Sequence, residues 1–273
     1  MGVKIMRLIK DISYAPENGW RGTGDLLLPD NPRNSQIPVA LVIHGGGWNA
    51  MDKYGLYPLG KLFALKGFAA FMINYRLLDD APWPACGDDC LRAAEFLIEK
   101  IPMLDKRIID SPIVVAGASA GGHLALMTGL RLPPEKVSCI ISIAGPTDVK
   151  SHFASKKNPD PLIYRFFGRR KIGVKDWSNA APMNFIRKSS PRTICLHSSN
   201  DRLVHTRHSE DLICKCRKLG VELELFLFDG NDEFHGMWIP RTDKRDPSKR
   251  QFIPCVENKL LSIIGSIKEN AGW

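Results

Sequence analysis

The stretch VVAGASAGGHLAL, from Val114 to Leu126, passes from β-branched residues into glycines and alanines around one serine, Ser119, and on into a helix-forming run. Read as G-x-S-x-G between a strand and a helix, it predicts a sharp turn that lifts the serine out of the backbone. Side chains two residues either side of that serine would collide, and glycine at 117 and 121 removes the clash. Ser119 then stands at a helix N-terminus, whose dipole favours developing negative charge. A Gly-rich turn holding a structural serine has the same letters, so the surrounding chain must decide.

Working outward, short apolar runs rich in β-branched residues recur at 39–44, 69–74, 113–116, 139–144, 193–197 and 222–228. Near-continuous apolar character over such lengths predicts strands buried on both faces. Between them lie helix-like segments at 57–66, 88–100, 120–130, 206–219 and 254–267. The alternation predicts an α/β fold with a mostly parallel central sheet and helices on both faces. With neither repeat nor low-complexity linker, residues 1–273 read as one domain. The polar, basic and aromatic stretch 147–182 breaks the rhythm after a strand, and reads either as a cap-like insertion over the sheet's C-terminal edge or as an irregular surface loop.

Composition narrows the function classes. The chain has 273 residues, 44% of them hydrophobic, enough for a sizeable core. The net charge of +9 comes from scattered bases with short clusters at 165–171 and 241–250. No stacking module or zinc spacing accompanies them, so nucleic-acid binding is set aside. No segment approaches the ~18 apolar residues of a membrane span, and the N-terminal apolar run is too short for a signal peptide. A cytoplasmic protein is expected, or a secreted one if a leader was removed before this numbering begins. Seven cysteines, most of them in apolar or helical stretches, favour reduced thiols, with Cys86 and Cys90 either bridged or one helical turn apart. Neither a metal nor an organic cofactor is implied.

A second motif gives Ser119 chemistry. Val42-Ile43-His44-Gly45-Gly46-Gly47-Trp48 ends an apolar strand with three glycines, so bare N–H groups can converge on one point. With the N–H of Ala120 they supply what an oxyanion hole requires. A phosphate loop is the weaker reading, since no G-K-[ST] follows and Lys53 is six residues on. Of the seven histidines, His235 alone lies in a glycine-flanked loop after the last strong strand. His44 reads as pinning its loop, His123 as packing on the serine's helix, and His197 as a neighbour of the acid loop. His205 and His208 read as exposed at a helix start. The loop after the preceding strand offers Asp201 as the acid, with Asp232 and Glu233 as rivals too close to His235 in sequence to meet its ring squarely. The order Ser119, Asp201, His235 is that of a serine–acid–histidine triad.

HGGGW, GASAGG, Asn74-Tyr75-Arg76-Leu77, and HSSNDRLV followed by FHG together resemble the α/β-hydrolase esterases, over about residues 38–235. The likeness is to the hormone-sensitive-lipase-like and the feruloyl or acetyl-xylan esterase-like branches. It implies Gly46, Gly47 and Ala120 as oxyanion donors and a serine carboxylic-ester hydrolase working through an acyl-enzyme. Small acyl, acetylated-sugar or feruloyl-type esters are the expected substrates. The family's usual approach to its histidine is shorter than the Gly230-Asn-Asp-Glu-Phe run here, and little chain precedes the first motif to form a helical cap. Trp48 and Trp238 are candidate substrate-binding residues or, equally, buried core tryptophans, and Tyr164, Phe166 and Phe167 are candidates for an apolar lid. HGGGW with SAGGHLA also resembles the formamidases acting on N-formylkynurenine, which leaves an amidase as the alternative. A non-catalytic binding protein of the same fold is the other, though such chains usually lack a triad member.

Overall fold

Successive residues of the central strands face opposite sides of one sheet, and here both sides are apolar. In the computed structural model, which describes residues 6–30, 36–154, 161–231, 235–240 and 246–273, eight strands form that sheet. They are β1 (Arg7–Ser13), β2 (Thr23–Leu28), β3 (Val39–Ile43), β4 (Ala69–Ile73), β5 (Ile113–Ala118), β6 (Val137–Ile143), β7 (Thr193–Ser198) and β8 (Leu223–Phe228). The spatial order is β1-β2-β4-β3-β5-β6-β7-β8, with β1 and β2 antiparallel to their neighbours and the other pairs parallel.

Leu41 and Ile43 of β3 pack into one apolar cluster, Ala40 and Val42 into the other, as the two-residue period of a strand requires. Helices α2 (Ala85–Glu99), α3 (Ala120–Arg131) and α7 (Arg207–Leu219) cover the first side through Cys90, Leu97, Leu124 and Leu212. On the other side lie α1 (Tyr57–Leu65) and α8 (Pro254–Asn270), with Leu62, Phe63, Leu260 and Ile264 buried. Each such aliphatic or aromatic side chain contributes about 1.5–3 kcal/mol on burial. Cys86 and Cys90 are free thiols buried on α2. No helix among the described residues is long and apolar enough to cross a membrane.

The described part of 147–182 forms three short helices, α4 (Val149–Ala154), α5 (Leu162–Phe167) and α6 (Val174–Asn179). Residues 155–160 of this stretch lie outside the described residues. Phe153, Phe166 and Phe167 join Trp48 and Trp83 in a buried aromatic cluster beside α3, with half-buried Trp177 packed against Phe167 at its edge.

The topology places the two glycine motifs together. From β3 the chain moves to β4 on one side, then crosses to β5 on the other, so β3 is the point where the winding reverses. In open α/β sheets the crevice beyond the strand ends at such a point receives the ligand. HGGGW leaves β3 there, and Ser119 follows β5 directly beside it.

Candidate active site

Ser119 has φ 57° and ψ −124°, a conformation that costs a non-glycine residue about 1–3 kcal/mol. Its neighbours show what holds it there. A Cβ on Gly117 would lie 2.2 Å from the carbonyl oxygen of Gly121, and one on Gly121 would lie 2.1 Å from that of Ile43. The turn and the end of β3 are thus in backbone contact, which only glycine at these positions permits. The N–H of Ser119 donates to the carbonyl of Ile143 at 2.8 Å, spending the serine's own donor and tying the turn to β6. Ala120 opens α3, so its N–H has no acceptor within the helix.

Gly45 is pressed against the same turn, since a Cβ there would meet the Ala118 carbonyl oxygen at 2.8 Å. Gly46 and Gly47 follow with φ of 108° and 60°, and the Gly46 carbonyl accepts from the N–H groups of Asn49 and Ala50 at 3.1 and 3.0 Å. His44 is sealed beneath this loop. It stacks on Tyr75 with ring centres 4.3 Å apart, its Nδ1 donates to the Gly45 carbonyl at 2.7 Å, and burial lowers its pKa to about 3. A neutral, enclosed imidazole of this kind braces the loop. Lys53 is likewise structural: its amine is buried against Asp25 at 2.6 Å and also pairs with Asp11, while its N–H donates to Asn74.

Asp201 lies just beyond β7, its carboxylate fully buried. Oδ1 accepts from the N–H groups of Leu203 and Val204 at 2.8 and 2.9 Å, and Oδ2 accepts from Nδ1 of His235 at 2.8 Å. Burial works against ionising Asp201, but the imidazole of His197, 3.5 Å away, and the hydrogen bond from His235 outweigh it and hold the carboxyl well below the ordinary range. Nε2 of His197 donates to the Val204 carbonyl at 2.9 Å, so its Nδ1 accepts from Ser209 at 2.7 Å. The long approach to His235 closes as a loop whose ends touch. A Cβ on Gly230 would lie 2.7 Å from the Cα of Gly236, and Asn200 donates to the Gly230 carbonyl at 2.9 Å. The rival acids Asp232 and Glu233 lie outside the described residues.

A carboxylate only accepts, so Nδ1 of neutral His235 carries the proton and Nε2 keeps its lone pair. Ser119 and His235 line one cavity of about 270 Å³, together with Gly45, Gly46, Gly47 and apolar Met51, Leu56 and Met237. Such a set can deliver a hydroxyl to an electrophile and remove its proton.

The two tryptophans separate. Trp238 lines the cavity, stacked on Phe252. Trp48 does not, contrary to the expectation from its place beside the glycines. With φ 58° the chain turns there, and the indole is buried in the aromatic cluster, donating to Nδ1 of His123 at 3.2 Å. Nε2 of His123 donates to the Ala180 carbonyl at 2.8 Å, and burial lowers its pKa to about 4, so it packs as its helical position implies. Phe166 and Phe167 are buried in the same cluster and Tyr164 is exposed; no described residue of the insertion lines the cavity. His208, expected to be exposed, is buried against Thr147. The apolar lining from Met51, Leu56 and Met237 carries no motif and was not foreseen. Among the described residues no group of three or more His, Cys, Asp or Glu is arranged to hold a metal.

Residues 25–216 match the family described as BD-FAE. Among curated proteins the chain is similar to dipeptidyl aminopeptidase BIII of Pseudoxanthomonas mexicana, 24% identical over 89% of this chain and 36% of that protein. It is also similar to the probable carboxylic ester hydrolase LipM of Mycobacterium tuberculosis, 27% identical over 78% of this chain and 52% of that one. The chain thus spans about a third to a half of these two relatives' lengths. Among solved structures, a truncated carbohydrate esterase from gut microbiota superposes with a TM-score of 0.78 at 19% identity, covering 96% of each chain. An acetyl ester-xyloside bifunctional hydrolase from Caldicellulosiruptor lactoaceticus gives 0.66 at 23% identity, covering 94% of this chain and 91% of that one. With its sheet order, its strand-turn-helix serine and these likenesses, the chain has the α/β-hydrolase fold and belongs to the BD-FAE family.

Proposed function

We propose that the protein is a serine carboxylic-ester hydrolase that cleaves small esters through an acyl-enzyme. One observation carries the reading: Ser119, held at positive φ on a glycine-bounded turn, shares a cavity with His235, whose Nδ1 is fixed by buried Asp201. In the proposed cycle His235 Nε2 takes the proton of Ser119 as its oxygen attacks the ester carbonyl. The N–H groups of Gly46, Gly47 and Ala120 receive the oxyanion, where a single lost donor costs about 100- to 1,000-fold in rate. His235 then protonates the leaving alcohol, and water, activated by the same nitrogen, releases the acid. Asp201 keeps the imidazole in the required tautomer and stabilises its charged form.

The cavity's modest volume and its Met51, Leu56 and Met237 walls favour short acyl groups, and the relatives named as esterases support ester over other bonds. Acetylated-sugar and feruloyl-type esters fit the same chemistry. The relative named as a dipeptidyl aminopeptidase favours amide cleavage as the second reading. The insertion 147–182 is proposed to brace the HGGGW loop through Phe166 and Trp48. Ser119→Ala is expected to abolish hydrolysis of p-nitrophenyl acetate and labelling by a fluorophosphonate while the circular dichroism stays native. Wild-type turnover in that variant would remove the assignment, and faster cleavage of N-formylkynurenine than of any ester would move it to the amidase.

A further inference from the structure

The cavity contains a group that ester cleavage does not require. Among its described lining residues, Arg250 is the one with a permanently charged side chain; apart from Ser119 and His235 the remainder is glycine, alanine, leucine, methionine and tryptophan. Its guanidinium carbon lies 5.7 Å from the centre of the Trp238 ring, which in turn stacks on Phe252 at 4.4 Å. Backbone pairing makes this a built wall. Trp238 bridges Phe252, the N–H of Ile239 donates to the Gln251 carbonyl at 2.8 Å, and that of Ile253 donates to the Met237 carbonyl at 3.0 Å. Trp238, three residues past His235, and Arg250, just before Gln251, are thereby held on one two-stranded lip beside the proposed nucleophile. The run 241–250 to which Arg250 belongs has five bases and two acids in a chain of net charge +9; its residues 241–245 lie outside the described residues.

We propose that this wall selects esters that carry a second, ionised carboxylate, with Arg250 donating N–H groups to it and the Trp238 face packing on the segment between the two functions. The inference rests on Ser119 being the acyl acceptor and adds the class of substrate. A guanidinium has five donors in a planar fork that matches a carboxylate's two oxygens, so contact with a protein neighbour still leaves donors for a ligand. Charge-assisted bonds of this kind gain strength in a cavity that is otherwise apolar. A positive field at the mouth also raises the encounter rate of anions, an effect that salt removes. The carboxylate can belong to the acyl part, as in a monoester of a dicarboxylic acid, or to the alcohol part, as in an acylated hydroxy acid.

Two matched pairs separate these sources: p-nitrophenyl valerate against mono-p-nitrophenyl glutarate, and phenyl acetate against 4-acetoxybenzoate. The wild-type protein is expected to favour the anionic member of one pair by about tenfold or more in kcat/KM, chiefly through KM, with the preference shrinking as salt is raised. In Arg250→Gln the anionic-to-neutral ratio is expected to fall by about tenfold, and Arg250→Lys to restore part of it. The ratio is internal to each sample, so a loss of folded protein cancels. Neutral esters cleaved at least as well as both anionic ones, or a ratio unchanged in Arg250→Gln, overturns the proposal and leaves the esterase reading standing. No cleavage in either pair, with no fluorophosphonate labelling of Ser119, overturns both.

Discussion

The two sides of the cavity are built by different means. The Ser119 side is backbone: Gly45, Gly117 and Gly121 let the ends of β3 and β5 approach to distances at which any side chain would strike a carbonyl oxygen. The His235 side is made of side-chain hydrogen bonds around the ends of β7 and β8: Asp201 to His235, His197 to Ser209 and the Val204 carbonyl, and Asn200 to the Gly230 carbonyl. Damage to the first side should therefore appear as lost structure, and damage to the second as lost chemistry in an intact fold.

The largest expected effect comes from breaking the backbone side. Gly121→Ala sets a Cβ 2.1 Å from the Ile43 oxygen and 2.4 Å from that of His44, both backbone atoms that cannot swing aside. Separating β3 from the turn moves HGGGW and Ser119 apart. The variant is expected to lose all measurable esterase activity together with several kcal/mol of stability, of the order seen for overpacked or strained core sites. Denaturant unfolding beside an activity assay checks this. An alanine variant with wild-type stability would mean that the turn relaxes freely and that the contrast between the two sides is unfounded.

Asp201→Asn tests the other side. The amide still offers an oxygen to the N–H groups of Leu203 and Val204, so the loop is retained, but it no longer fixes the proton on Nδ1 of His235. On the proposed mechanism kcat falls on the order of 10⁴-fold while the chain stays folded at neutral pH. Acid adds a second readout. The folded carboxyl is held below its ordinary value, so the stability it contributes is present above the unfolded pKa of about 3.9 and is lost as pH falls through that value toward the folded one. Unfolding midpoints between pH 5 and 2 should accordingly fall less steeply in Asp201→Asn than in the parent chain.

The same division explains what could be read in the letters. Central strands such as β5, with Val114, Val115 and Ala116 buried on both faces, announce themselves as apolar runs, and backbone motifs as glycine spacing. The antiparallel strands β1 and β2 were not foreseen. β1 is an edge that carries Arg7, Lys10 and Asp11, and β2 holds Asp25 at full burial, which looks wrong for a strand until Lys53, 28 residues on, reaches its carboxylate. Trp48 misled for a related reason. Its neighbours place its Cα at the site, but one positive φ and the acceptor on His123 decide where the indole goes. Pairings between distant residues have no local signature, and the lining contributed by Arg250 and Met237 depends wholly on such pairings.

The smallest of these effects concerns His123, which stands four residues after Ser119 yet belongs to the structural side. It accepts from Trp48 on Nδ1 and donates to Ala180 from Nε2, so protonation must break the Trp48 bond, and burial lowers its pKa to about 4. The unfolded chain takes up that proton near pH 6.5, so the stability this histidine contributes is full above 6.5 and is lost as pH falls from there to about 4. The loss from this residue amounts to about 3 kcal/mol, on the scale of 1.36 kcal/mol per pKa unit. His44 and His208, lowered to about 3 and 4 by burial, steepen the same limb. His123→Gln keeps one acceptor and one donor and cannot be protonated. Its stability between pH 7 and 4 is expected to fall more gently than wild type, by up to one proton in the slope, while the pH profile of kcat keeps its shape because His123 does not line the cavity. A kcat profile displaced along the pH axis in this variant would show that the buried histidine communicates with the catalytic side, and the separation of the two regions would have to be given up.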